Sequence, residues 1–259
     1  MITLTSDFGL KDPYVAEMKG VILTLNPKAT LIDISHGIEK FNIRMAAFTL
    51  ASAAPYFPDG TVHLAVVDPG VGTQRRAILI QTKKGFFIGP DNGILVLAAK
   101  NQGLEHIYQL TNAKLMLPKI SDTFHGRDIF APAAAYLDKN VEPKEFGEEI
   151  KDLFEPEFAR LTRRGDALIG EVLHIDGFGN IISNINEKKL LRKNGKIMTV
   201  KLLQASLKLK FGKKYAEVEP NEPIVLIGSH GFVEIALNQG SAAEKFCAKV
   251  GDKISVMPT

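Results

Sequence analysis

The sequence lacks the features that cross-link a chain or anchor it in a membrane. Its 259 residues include one cysteine and no tryptophan. Because the single cysteine, Cys247, has no partner for an internal disulfide, the composition is typical of proteins in a reducing cytosol. No apolar run approaches the roughly 18 residues that a membrane span requires. The first residues resemble a strand and not a secretory signal. We therefore expect a cytoplasmic protein with no membrane contact.

Signatures of several common classes of site are also absent. The sequence contains no Gly-x-x-x-x-Gly-Lys-Ser/Thr phosphate loop and no Gly-x-Ser-x-Gly nucleophile turn. The six histidines are scattered, with no His pair at helical spacing, so we expect no metal site. The net charge of +3 is small and spread along the chain, and no nucleic-acid-binding signature occurs, so we expect no nucleic acid partner.

Strand-like and helix-like segments alternate over residues 1–160, which predicts an α/β domain with a mostly parallel sheet in Rossmann-like layers. Ligands of such sheets bind beyond the carboxyl ends of the strands. Asp7, Asp33 and Asp68 lie at or near such ends and are therefore candidate ligand contacts. The predicted strands are 2–8, 30–35, 61–69 and 106–110, with a hairpin of 77–82 and 85–89; the predicted helices are 14–25, 44–54, 93–100 and 127–137.

The pattern changes near residues 155–166, where proline, glycine and charged residues occur together as they do in linkers. Short β-rich segments follow, punctuated by Gly, Asn and Pro. This pattern predicts an all-β, barrel-like domain over residues 166–259. Its predicted strands are 167–176, 196–203, 207–212, 222–228, 232–237 and 252–257.

The stretch VVDPGVGTQRR, residues 66–76, suggests two kinds of loop. A phosphate-binding loop would lead into a helix N-terminus, but a strand-like segment follows here, which makes this interpretation weak. The other interpretation is an ion pair between Asp68 and Arg75, which a turn with two glycines brings together. A second turn, DTFHGRDIFAP at 122–132, places His125 next to a glycine, where its side chain can project into a cleft.

Three further stretches carry polar side chains in Gly-rich turns, each with two interpretations. In SDFGLKDPY, Asp7 and Asp12 suit a ribose diol, or they end a strand and cap a helix. In IDGFGNIISNI, Asp176, Phe178 and Asn180 suit a nucleobase, or they form a tight hairpin. The last stretch, GSHGFVEIALNQGSA, places small polar residues in two turns: Ser229, His230, Asn238 and Gln239.

Together and in this order, the five stretches resemble the S-adenosyl-L-methionine hydrolases, or SAM hydroxide adenosyltransferases, which are related to fluorinases and chlorinases. The resemblance runs from residue 2 to the last residues of the sequence. It implies an N-terminal α/β domain and a C-terminal β-barrel. It also implies a homotrimer that binds S-adenosylmethionine between subunits.

The resemblance assigns roles to individual residues. Asp7 matches the carboxylate that holds the ribose hydroxyls, and Asp12, Asp176 and Ser229 match groups around the methionine end. Phe178 and Asn180 match adenine contacts, and Asn238 and Gln239 border the base. His230 stands where the halogenating relatives have an arginine. Asp68, Arg75 and His125 resemble the triad with which the hydrolase branch activates water, although Arg76 is adjacent to Arg75.

The resemblance implies hydrolysis of S-adenosylmethionine to adenosine and L-methionine, by in-line attack of activated water at the ribose C5′. This reaction requires no metal or organic cofactor, and the small-molecule substrate is the expected partner. Two other functions are compatible with the same residues: a halide-dependent adenosyltransferase, and a protein that binds adenosine or S-adenosylmethionine without catalysis.

Overall fold

A computed structural model describes residues 1–190 and 197–258. The chain divides into two compact units, Met1–Pro156 and Glu157–Thr259. The predicted strand at 196–203 begins outside the described residues, and its described part forms a strand from Ile197. Among the described residues, no helix is both long and apolar enough to cross a membrane.

The first unit alternates strands and helices, which confirms the predicted α/β class. The predicted helix at 93–100 begins later, because residues 91–95 form a turn in which the Asn92 amide donates to the Val67 carbonyl at 2.8 Å. The elements are β1 (Ile2–Ser6), α1 (Tyr14–Leu25), β2 (Leu31–Ser35), α2 (Ile43–Ala53), β3 (Thr61–Val66), β4 (Ala77–Thr82), β5 (Gly85–Pro90), α3 (Val96–Asn101), β6 (Leu104–Gln109), α4 (Ala131–Asp138) and β7 (Glu149–Ile150).

The sheet of this unit has the strand order β2-β1-β3-β5-β4-β6-β7. Strands β2, β1, β3 and β5 are parallel, whereas β4 pairs antiparallel with both β5 and β6. The β4–β5 pairing confirms the predicted hairpin. β1 and β3 are buried along their whole length, as expected for central parallel strands that are covered on both faces.

Alternate residues of the central strands face opposite sides of the sheet. Ile2, Leu4 and Leu64 pack in one apolar cluster with Met18 of α1 and residues of α4. On the other face, Thr3 Oγ1 lies 2.8 Å from Nδ1 of His63. The His63 ring stacks on Phe87 at 4.8 Å between centroids. A titratable ring is therefore enclosed in the core beside β1.

The second unit is an all-β barrel, as predicted. Its sheet runs β10-β14-β13-β12-β11-β15-β9-β8, and an additional β9–β10 pairing closes seven of these strands into a barrel with β8 beside β9. The short helix α5 was not predicted; it begins where the Ser241 hydroxyl accepts the Glu244 amide at 3.1 Å. The elements are β8 (Thr162–Arg164), β9 (Ala167–Ile175), β10 (Ile181–Asn186), β11 (Ile197–Leu202), β12 (Ala205–Phe211), β13 (Pro223–Ile227), β14 (Phe232–Leu237), α5 (Ala242–Phe246) and β15 (Lys253–Pro258).

The burial of His63 predicts a pH dependence of stability. Burial lowers the pKa of His63 from 6.5 to about 4. The unfolded chain therefore binds the proton more tightly, so this contribution to stability is complete above about pH 6.5 and is lost as the pH falls towards 4. The loss amounts to roughly 3 kcal/mol in the free energy of unfolding.

We expect His63→Gln to flatten the pH dependence of the free energy of unfolding, measured by urea denaturation between these two pH values. The control is His106→Gln, because His106 lies on the surface, with a side chain that is 48% exposed. An unchanged pH dependence in His63→Gln would contradict the assignment.

Candidate active site

Asp68, Arg75 and His125 form a connected cluster, which we call the Arg75 triad. Asp68 follows β3, and Arg75 lies two residues before β4. Nε of Arg75 lies 3.0 and 2.9 Å from the two carboxylate oxygens of Asp68, and Nη2 also donates to this carboxylate. The same Nη2 lies 2.8 Å from Nδ1 of His125. One guanidinium therefore contacts both other members of the triad.

The loop at 68–75 brings the triad together through a close approach to the turn that carries His125. Gly72 has φ +77°, a conformation that favours glycine, and a Cβ there would overlap the backbone carbonyl oxygen of Asp122. Within the loop, the Thr73 hydroxyl donates to the Gly70 carbonyl at 2.7 Å. Gly72 thus serves backbone packing, and Gly70 leaves room for the side chain of Arg75, in agreement with the ion-pair interpretation of this stretch.

His125 precedes one turn of π-helix, Gly126–Phe130, which continues into α4. The predicted helix at 127–137 is therefore wound more widely over its first turn. Such π turns occur often at functional sites. Here the π turn includes Phe130, and the Arg75 guanidinium lies 5.2 Å from the centroid of its ring. The turn therefore holds both the histidine and an aromatic face against Arg75.

The electrostatics of the triad keep His125 neutral near pH 7. Burial and the charge of Arg75 lower the pKa of His125, and the nearby carboxylates of Asp68, Asp122 and Asp128 oppose this only in part. Because a guanidinium has donors only, Nδ1 of His125 is the acceptor in its contact with Arg75. The proton of the neutral ring is therefore on Nε2, which can donate a hydrogen bond.

Arg76, the neighbouring arginine, contacts residues outside the Arg75 triad. Nε of Arg76 donates to Asp91 at 2.8 Å, and Nη1 donates to Asp152 at 2.9 Å. These contacts, with that of Asp152 the largest, raise the pKa of Arg76 above its usual range. Of the two adjacent arginines, Arg75 is the one in contact with Asp68 and His125.

Asp7 directly follows β1 and is buried. Its Oδ2 accepts the backbone N–H of Phe41 at 2.9 Å, and Nζ of Lys40 donates to its carbonyl at 2.6 Å. Phe41 was not identified from sequence. It has φ +63°, which is rare for a bulky residue, and its side chain is 67% exposed beside Asp7. No local sequence pattern marks such a backbone conformation.

Asp12 is exposed and precedes Pro13, the N-cap of α1. Since no side chain caps this helix, the structure does not support the interpretation of Asp12 as a cap.

Asp33, the third strand-end carboxylate, belongs to a separate network. It contacts Lys19 at 2.7 Å and Nε2 of His36 at 3.1 Å. Nδ1 of His36 lies 2.7 Å from the Ser6 hydroxyl, and the carbonyl of His36 accepts the Gly9 amide at 2.8 Å. This network therefore holds the loop on both sides of Asp7.

In the second unit, Asp176 and Asn180 build the β9–β10 hairpin. Oδ1 of Asp176 accepts the backbone N–H groups of Phe178 and Asn180 at 2.9 Å each, and Oδ2 accepts the Asn180 side-chain amide at 2.9 Å. The Phe178 side chain is 82% exposed at the tip. The hairpin interpretation therefore accounts for the side chains of Asp176 and Asn180. The phenyl ring of Phe178, in contrast, is exposed at the tip of the hairpin.

Ser229 and His230 lie in the turn between β13 and β14, and Asn238 and Gln239 lie in the turn after β14. The Asn238 side-chain amide donates to the Val218 carbonyl at 2.7 Å. Nε2 of His230 lies 3.7 Å from Oε2 of Glu234, a residue of β14 that sequence analysis did not identify.

No group of three or more His, Cys, Asp or Glu side chains that could hold a metal ion occurs in residues 1–190 and 197–258.

The contact between Arg75 and His125 predicts that the charge of Arg75 controls the pKa of His125. Replacing Arg75 with methionine removes the charge that disfavours the imidazolium, so we expect the pKa of His125 to rise, as measured by NMR titration of the histidine ring protons. Arg76→Met is the matched control and should leave the pKa of His125 unchanged. Equal titration of His125 in the wild type and in Arg75→Met would show that the contact does not exist in solution.

Comparison with known proteins places this arrangement in a family. Residues 2–147 match the SAM hydroxide adenosyltransferase N-terminal domain, and residues 170–255 match the C-terminal domain of the same family. A Methanocaldococcus jannaschii protein named (R)-S-adenosyl-L-methionine hydrolase is 37% identical, covering 99% of this chain and 95% of its own. A fluorinase from an Actinoplanes species is 26% identical, covering 99% and 97%. A crystal structure of an uncharacterized conserved protein from Thermotoga maritima superposes with a TM-score of 0.86 at 38% identity, covering 99% of this chain and 100% of that chain. The chain therefore belongs to the SAM hydroxide adenosyltransferase family.

Proposed function

We propose that this protein is an enzyme that hydrolyses S-adenosyl-L-methionine to adenosine and L-methionine. The observation that carries the proposal is the Arg75 triad, in which one guanidinium contacts a carboxylate and an imidazole. The relatives named as hydrolases support it, because they are 35–38% identical to this chain whereas the fluorinases are 26% identical.

The chemical difficulty of this reaction lies in the nucleophile. Attack at the ribose C5′ expels a neutral thioether, which needs no general acid. Water, however, is a weak nucleophile, and a positioned base contributes about 10²–10⁴-fold to such a step. Holding the water in line with the C5′–sulfur bond contributes roughly 7–11 kcal/mol more. The triad is suited to both tasks.

The hydrogen bonds of the triad assign a role to each member. Nδ1 of His125 accepts from Arg75, so Nε2–H is a donor that orients a water oxygen. Oδ2 of Asp68 accepts from both Nε and Nη2 of Arg75, whereas Oδ1 accepts from Nε alone and keeps a lone pair, so Oδ1 of Asp68 is the atom that accepts the proton of the water. Arg75 then stabilises the developing hydroxide.

The substrate contacts extend the same proposal to the other polar residues. Asp7 accepts the two ribose hydroxyls, since a carboxylate has about four acceptor positions and the Phe41 amide uses one. Phe178 stacks on the adenine with its exposed ring. The remaining residues bind as the family resemblance implies: Asp12, Asp176, Ser229 and His230 at the methionine end, and Asn180, Asn238 and Gln239 around the base.

Three further properties belong to the proposal. The reaction uses no metal or organic cofactor, because water and the triad supply everything that the displacement needs. The protein acts in the cytoplasm, as its single cysteine suggests. It assembles as a homotrimer with substrate sites between subunits, as the family resemblance implies.

The decisive experiment incubates the protein with S-adenosylmethionine in ¹⁸O-water and analyses the products by mass spectrometry. We expect methionine and adenosine with ¹⁸O at C5′. Both sulfonium diastereomers are assayed, because several relatives are named for the (R) form. A 5′-halogenated nucleoside in the presence of chloride or fluoride would favour the halide-dependent alternative, and binding without products would favour the non-catalytic one.

Two carboxylate variants test the assigned roles against each other. Asp68→Asn removes the proton acceptor, so we expect kcat to fall by about 10²–10⁴-fold with little change in substrate affinity. Asp7→Asn weakens the diol contact, so affinity for substrate and for adenosine should fall together. The measurement is steady-state kinetics with calorimetric binding, and normal turnover in Asp68→Asn would refute the triad mechanism.

The assembly is tested by mass photometry of the wild-type protein. A homotrimer has a mass of about 85 kDa, three times the 28.4 kDa of the chain. A monomer or dimer at concentrations where the enzyme is active would contradict the trimer.

A further inference from the structure

The turn that follows His125 contains a buried carboxylate to which the proposed mechanism gives no role. Asp128 lies within the π turn Gly126–Phe130, and it is 0% exposed. A buried carboxylate costs free energy unless partners compensate for it. The groups that contact Asp128 therefore indicate what it does.

Asp128 holds the segment that leads into His125 at two points. Its Oδ2 accepts the backbone N–H of Ser121 at 2.8 Å, and its backbone carbonyl accepts the N–H of Leu117 at 3.0 Å. Residues 116–124 form neither helix nor strand. Because no regular backbone pairing fixes this segment, its path depends on contacts such as these two.

The segment held by Asp128 also contacts the loop that carries Arg75. The Ser121 hydroxyl oxygen accepts the backbone N–H of Thr123 at 3.3 Å, which closes a short turn around Asp122. The backbone carbonyl oxygen of Asp122 is the atom that a Cβ at Gly72 would meet at 2.4 Å. The turn therefore packs against the Arg75 loop and leads directly into His125.

Arg127 compensates the charge of Asp128 and ties it to other elements. Nε of Arg127 donates to Oδ1 of Asp128 at 2.7 Å, and Nη1 donates to Glu17 of α1 at 2.8 Å. The same guanidinium lies 5.0 Å from the ring centroid of Phe124. Burial alone would raise the pKa of Asp128, but the hydrogen bonds from Arg127 and the Ser121 amide hold it below its usual range. Asp128 is therefore an anion at neutral pH.

We propose that Asp128, held by Arg127, is a positioning residue that fixes the turn of His125 so that the imidazole stays in contact with Arg75. Asp128 acts through the backbone of the turn, whereas His125 makes the contact itself, with Nδ1 at 2.8 Å from Arg75. The proposal rests on the proposed function and deepens it by naming the group that maintains the geometry of the triad.

The test uses Asp128→Asn. An asparagine side chain has one acceptor oxygen and one NH₂ donor, so it can accept from Ser121 or from Arg127 while its NH₂ faces the other donor. The control is Asp138→Asn, at the opposite end of α4. The Asp138 side chain is 12% exposed, and it accepts the side-chain amide of Asn26 at 2.7 Å.

The first readout is the change in the pKa of His125 that Arg75→Met causes, measured by NMR titration with and without Asp128→Asn. Comparing these two changes cancels the direct effect of the Asp128 charge on the imidazole. We expect Asp128→Asn to reduce the change to less than about half, as for residues that are coupled. Asp138→Asn should leave it at full size.

The second readout is steady-state kinetics. We expect Asp128→Asn to lower kcat by about 10–10²-fold with KM within about twofold, because a misplacement of roughly 1 Å has an effect of this size. In a His125→Gln background, Asp128→Asn should lower kcat by no more than about twofold, since residues that act as a unit are not additive. A merely structural role would lower kcat equally in both backgrounds.

A full-sized effect of Arg75→Met in the Asp128→Asn protein overturns the proposal, and so does an equal loss of this effect in Asp138→Asn. If Asp128→Asn does not fold, Arg127→Met replaces it, because the Arg127 side chain is 33% exposed. Removing the cation that holds the carboxylate should again reduce the effect of Arg75→Met, and no reduction refutes the inference. If the wild type forms no products, the proposed function fails separately, and the NMR comparison alone decides the role of Asp128.

Discussion

The contact of one guanidinium with both a carboxylate and an imidazole is the interaction on which the candidate active site depends. Arg75 can only donate hydrogen bonds, so it determines which atoms of Asp68 and His125 are acceptors and where the imidazole proton lies. The segments that carry Arg75 and His125 are each shaped so that the two side chains meet. The Gly72 turn brings the loop onto the backbone of Asp122, and the π turn after His125 places Phe130 against the guanidinium.

Each of the two units places a histidine near an acidic side chain, and in both units the pKa of the histidine is lowered. In the Arg75 triad, burial and the charge of Arg75 lower the pKa of His125, and the contact with Arg75 leaves the ring proton on Nε2. In the second unit, Nε2 of His230 lies 3.7 Å from Oε2 of Glu234, and burial is the largest cause of the lowered pKa of His230. The two histidines therefore differ in the group that faces the ring, which is a guanidinium at His125 and a carboxylate at His230.

The sequence predicted the architecture, because this depends on periodicity, and short motifs supplied the candidate site residues. Alternating strand and helix patterns led to the α/β unit, and closely spaced short strands led to the barrel. Residues whose importance arises only from three-dimensional contact could not be predicted. Glu234 lies in an apolar strand with no motif around it, and Phe41 is marked only by its backbone conformation. The choice between Arg75 and Arg76 likewise depended on which side chain reaches Asp68, which no local pattern contains.

The hairpin between β9 and β10 combines two separate tasks in one short turn. The pairing of these strands closes the barrel, and Asp176 and Asn180 hold the turn that connects them. These two positions are therefore constrained by folding, whatever ligand the protein binds. The ring of Phe178 projects from the same turn and makes no contribution to closure through its side chain. A different side chain at position 178 would change what the hairpin presents to a ligand while Asp176 and Asn180 still hold the turn, so the hairpin separates a position that can vary without loss of the barrel from two that cannot.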